Sequence, residues 1–183
     1  MTTTVAVNPL KRLIANTIFR VLPAKSVVGI RCVNLAGTDG GELAIRRITE
    51  AICLLDSSNE VLHRRVRRFV KQIVIWPGPY TAAVRPVTVQ LSTTHIEPND
   101  ILELASVLVH EATHLEIAAW GIAYDDRHRE RIERLCVKEQ AGFLRRTGGR
   151  GATMADIFEE RLATPWWTPE AHRRDIAKLH GLG

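Results

Sequence analysis

The chain has 183 residues, 45% hydrophobic and 25% charged, the range of a single globular domain that buries its own core. Its net charge of +5 comes without repeats or low-complexity runs, which argues against a disordered chain. No apolar run approaches the ~20 residues of a spanning helix, and three widely spaced cysteines, Cys32, Cys53 and Cys136, do not make a disulfide framework.

All three cysteines are expected to be buried free thiols, and the absence of a CxxC pair argues against a cysteine-based zinc site. At the N-terminus Lys11, Arg12 and Arg20 follow or interrupt the apolar residues, unlike a secretory signal, so a cytoplasmic location is expected. Asn8 and Pro9 can start a helix with Leu10, Leu13, Ile14, Ile18 and Val21 on one side. Val27 to Leu35 alternates and is β-branched, as in a strand. Gly37 to Gly41 reads as a turn, followed by a helix over 42–55 with Leu43, Ile45, Ile48, Ile52 and Leu55 in register. A second helix is expected over 60–69. Its arginines, Arg64, Arg65, Arg67 and Arg68, read as a solvated face; no nucleic-acid motif accompanies them, so a nucleic-acid partner is not expected.

Strands are expected at 72–76 and 87–93. Asp100 then caps a helix with Glu103 three residues on, as in a capping box, and the helix runs to about Gly121. Further helices are expected over 127–145, 154–162 and 168–179. The chain thus reads as α+β: a small, mostly antiparallel sheet in the first half and helices in the second. As a single domain it divides into an N-terminal helical extension (1–25), a core (26–147) and C-terminal helices (148–183).

The capped helix carries His110-Glu111-Ala112-Thr113-His114. Residues i and i+4 share a helix face, so both imidazoles can reach one metal ion while Glu111 faces a water that the metal polarises. Zinc lowers the pKa of such a water toward ~7, and Glu111 can take its proton and pass it to a leaving amine.

This HExxH helix resembles that of the zincin metallopeptidases. The resemblance implies a zincin-like fold, one Zn2+ and hydrolysis of a peptide or protein substrate. Two departures stand out. Glu116 sits where the family pattern has a hydrophobic residue, and Ile117 and Trp120 replace the Gly and His of the metzincin subgroup. The gluzincin subgroup draws its third ligand from a second helix, often as HExxH-x18-E, and that spacing reaches Glu133. Asp125, Asp126, Glu130, Glu139 and His128 remain alternatives. Val137 stands where some gluzincins carry an Asp that orients the first His, so Glu139 or a backbone carbonyl would have to do this. Tyr124, His128, His172 and His180 are candidates for stabilising an oxyanion. In the zincin fold an edge strand above the active helix receives the substrate by β-addition, a role that residues 87–93 can fill. The expected activity is zinc-dependent amide hydrolysis with His110, His114 and Glu133 as ligands and Glu111 as base. The rival is a zincin scaffold that binds a protein or a polyanion without peptidase activity.

Overall fold

The structure, a computed structural model, describes residues 22–78, 81–84, 87–96, 100–164 and 168. The expected N-terminal helix lies outside these residues, as does the last helix except for Thr168. Residues 24 and 25, assigned to the helical extension by the sequence, belong to a strand instead.

The run read as one strand is a hairpin. β1 (Ala24–Val27) pairs antiparallel with β2 (Ile30–Asn34), Val27 opposite Ile30. Between them Val28 and Gly29 have φ 49° and 80°, both positive, as a two-residue primed turn requires. A β-branched residue rarely adopts that conformation, so the usual Asn-Gly signal is missing.

The glycine run does not end in a turn. It opens α1 (Thr38–Ser58). Asn34 brackets the helix start: its Nδ2 donates to the Gly37 carbonyl at 2.6 Å and its Oδ1 accepts from the Ala36 amide at 2.8 Å. Gly41 is buried against it, and a Cβ there would overlap the Asn34 carboxamide. Along α1 the buried residues are Ala44, Ile48, Ala51, Ile52 and Leu55, one stripe at helical spacing. Asn59 caps α2 (Glu60–Phe69) by accepting from the Leu62 amide at 3.1 Å.

α1 and α2 carry the chain back across the sheet, so β3 (Gln72–Trp76) runs parallel to β2. β4 (Ala82–Val84), with no counterpart in the sequence reading, is an edge strand antiparallel to β5 (Thr88–Ser92), and β5 is parallel to β3. The five strands lie in the order β1-β2-β3-β5-β4. The sheet is therefore mixed, with two parallel and two antiparallel pairings, and the expectation of a mostly antiparallel sheet is corrected. The expected edge strand, β5, is internal.

A single-turn helix, α3 (Thr93–Ile96), leads to α4 (Ile101–Ala119), the helix with HExxH, then α5 (Arg129–Thr147), α6 (Arg150–Glu160) and a 3-10 turn at Arg161–Ala163. Asp100 caps α4, accepting from the Leu102 amide at 3.2 Å, and also meets Arg150 at 2.8 Å. Ile30, Cys32, Ile73, Ile75, Val89 and Leu91 of the sheet join one core with α1, α2, α4, α5 and α6. α4 is buried on almost every side, through Leu104, Ala105, Leu108, Val109, Ala112 and Leu115, as expected of a central helix. Among the described residues no helix is long and apolar enough to cross a membrane.

Candidate metal centre

α4 and α5 pack side by side, joined by residues 120–128. This pairing turns His110 and His114 of α4 toward Glu133 of α5. The two Nε2 atoms lie 3.1 Å apart. Glu133 Oε2 is 3.5 Å from His110 Nε2, and Glu133 Oε1 is 3.5 Å from His114 Nε2. Ligand atoms about 2.0–2.1 Å from one zinc ion, tetrahedrally placed, stand roughly 3.3 Å from one another. The two imidazole nitrogens have about that spacing, and each carboxylate oxygen lies 3.5 Å from one of them.

A second observation favours a cation. Glu133 is 3% exposed, and its Oε2 is buried without a hydrogen-bond partner. An acceptor so placed is costly unless something positive meets it. The Oε1 atom is engaged, accepting from the Tyr124 hydroxyl. The donor set of two imidazoles and a carboxylate suits zinc with one position left open.

The charges reinforce one another. Burial works to raise the Glu133 pKa, but His110, His114 and the Tyr124 hydroxyl outweigh it and hold this carboxyl well below its usual range. Burial opposes protonation of His110, yet Glu133 and Glu111, with Gln140, raise its pKa. Burial and then Glu133 push the Tyr124 phenol up, so it stays a donor at neutral pH. The Arg129 guanidinium lies over the Tyr124 ring at 5.3 Å, and the ring meets His114 edge-on with centroids 5.5 Å apart.

His110 is oriented by a chain of hydrogen bonds. Its Nδ1 donates to Gln140 Oε1 at 3.1 Å, Gln140 Nε2 donates to Ser106 Oγ at 3.0 Å, and the Ser106 hydroxyl donates to the Glu103 carbonyl at 2.7 Å. Because the serine proton is spent on that carbonyl, the Gln140 amide faces Ser106 and its carbonyl faces the imidazole. Nδ1 then carries the proton and Nε2 presents its lone pair. Sequence reasoning missed Gln140 and Ser106. Gln140 is 3% exposed and Ser106 fully buried, but a buried polar residue is visible only once the packing is known. Glu139, one of the two alternatives for orienting His110, instead pairs with Arg65, and Val137 is buried.

Glu111 is 7% exposed and makes no hydrogen bond or ion pair with a described residue. The other sequence candidates are held elsewhere. Asp125 binds His128 at 2.8 Å, Asp126 binds Arg129 at 3.2 Å, and Glu130 binds Arg134 at 2.9 Å. His172 and His180 lie outside the described residues. Glu116 meets Arg65 Nε at 2.9 Å, and the same guanidinium reaches Glu139. One arginine of α2 thus ties α4 to α5. Cys136 is fully buried beside the site, Cys32 is buried with its thiol pushed up to about 12 by burial, and Cys53 is exposed, so the expectation of three buried thiols holds for two.

Comparison with known protein families, with curated proteins and with solved structures finds no match to this chain.

Proposed function

We propose that this chain is a zinc-dependent hydrolase of amide bonds, a metallopeptidase, with His110, His114 and Glu133 holding the ion. The observation that carries the reading is the convergence of His110 and His114 with Glu133 from two helices, one buried oxygen of that carboxylate making no hydrogen bond. A zinc ion held there would supply Lewis acidity, lowering the pKa of a bound water toward neutral. Glu111 would take the water's proton and return it to the leaving amine; no hydrogen bond or ion pair with a described residue ties its carboxylate down. Tyr124 keeps its phenolic proton and donates it in a hydrogen bond to Glu133 Oε1, holding that carboxylate in place; it could serve an oxyanion only by releasing Glu133. Gln140 keeps His110 in the tautomer that binds metal.

An extended peptide has a place to lie. β4 is one of the two sheet edges and runs beside α4, and an edge strand offers unpaired amides and carbonyls to an added strand.

The test is Glu111→Gln. The variant is expected to retain one equivalent of zinc by metal analysis while turnover of a peptide library falls at least ~10²-fold. Full activity in that variant would refute the mechanism. Zinc binding by the wild-type protein without hydrolysis of any peptide would favour the binding-scaffold alternative.

A further inference from the structure

Cys136 stands one turn beyond Glu133 on α5, and residues three apart on a helix share a face. Its sulfur and one ring nitrogen each of His110 and His114 all lie within 4.8 Å of one another. The residue is fully buried, and it packs with Ile117 and Ile132. Its thiol has no hydrogen-bond partner among the described residues. A buried thiol in apolar surroundings is ordinarily inert. Here the same sulfur borders two imidazoles that face the proposed metal site, and thiolate is a strong zinc ligand.

We propose that Cys136 is a fourth metal donor, so that His110, His114, Glu133 and Cys136 close the coordination shell and the resting zinc form is latent. The proposal rests on the metal-site reading above and concerns how that site is regulated. When Sγ coordinates, the S–H proton passes to solvent and the sulfur takes the position that the reacting water needs. Hydrolysis then requires the sulfur to withdraw. Ile117 and Ile132 give it an apolar niche in which to rest as a thiol.

Cobalt replaces zinc as a coloured probe. The full chain is prepared with Cys53→Ser, which removes the exposed thiol, and is loaded with Co2+ alone. Visible d–d bands report a bound ion, and a near-ultraviolet sulfur-to-cobalt charge-transfer band reports a thiolate bound to it. The expected result is both bands. Adding Cys136→Ser should abolish the charge-transfer band and keep one equivalent of bound cobalt. The zinc form of that variant should hydrolyse peptide several-fold faster. Visible d–d bands without the charge-transfer band would put Cys136 outside the shell and overturn this proposal, leaving the hydrolase reading intact. Failure of the chain to bind cobalt or zinc would overturn both. Should Cys136→Ser not fold, X-ray absorption at the zinc edge of the unmutated protein decides the matter: a Zn–S distance near ~2.3 Å supports the proposal, and a shell of nitrogen and oxygen alone refutes it.

Discussion

Replacing Gln140 by Met tests whether metal affinity at the proposed site depends on a residue outside the proposed ligand set. Methionine matches the glutamine in length and fills its space, so the cavity contribution is small. What disappears is the acceptor at 3.1 Å from His110 Nδ1 and the donor at 3.0 Å from Ser106 Oγ. Ser106 keeps its bond to the Glu103 carbonyl at 2.7 Å, so the main loss is one buried N–H without a partner, about 1–3 kcal/mol of folding stability. The imidazole also loses the bond that sets its tautomer. Loss of such an orienting partner weakens metal binding about 10–100-fold, or roughly 1.4–2.7 kcal/mol. Zinc competition against a chromophoric chelator reads the affinity, and the urea midpoint of the metal-free protein reads the stability. Gln140→Glu keeps an acceptor facing Nδ1 and should hold affinity within about tenfold of wild type. If Gln140→Met bound zinc as tightly as wild type while its urea midpoint fell, the orienting role would be refuted and Gln140 would be only a packing residue.

Three other outcomes follow from the scaffold. Gly41→Ala forces a methyl into the Asn34 carboxamide and should lower stability by about 1–3 kcal/mol; an unchanged urea midpoint would show that the helix start yields without cost. Val28→Asn relieves a β-branched residue at φ 49° and should raise stability by about 1 kcal/mol, read from the same transition; a lower midpoint would count against the strained turn. Arg145 of α5 pairs with Glu159 and Asp156 of α6 and holds the Glu159 carboxyl below its usual range, with burial acting weakly the other way. A carboxyl depressed in the fold contributes stability above its unfolded pKa of about 4.3, and that contribution fades as pH falls through the lower folded value. The stability gap between wild type and Arg145→Gln should therefore shrink in acid below about pH 4, and a gap that stayed constant from neutral pH into that range would contradict the assignment.

The parts of the site that obey helical periodicity could be read from the chain. His110 and His114 are one turn apart on a helix whose cap, Asp100, is visible in the sequence, and the interval from His114 to Glu133 fits a helix, a turn and a returning helix. Gln140, Ser106 and Cys136 could not be read in this way. Their part in the site depends on which face of α5 meets α4, and no local pattern encodes that rotation. The sheet was obscured for different reasons. Val28 takes a turn conformation that favours Asn or Gly, so one alternating run concealed two strands. Gly37 to Gly41 looked like a breaker because the close approach of Asn34, which requires Gly41, is a tertiary contact. β4 spans only Ala82–Val84, too short for periodicity to register.

The three proposed ligands, His110, His114 and Glu133, belong to one antiparallel helix pair, α4 and α5, whereas β2, β3 and β5 must find partners across intervening helices or an edge strand. Contacts close in sequence form sooner than distant strand pairings. The two imidazoles and the carboxylate can therefore meet during folding before the sheet has closed. A divalent ion captured at that moment would act as a nucleus for the remainder of the chain, and refolding with zinc present would be faster than refolding in a chelator.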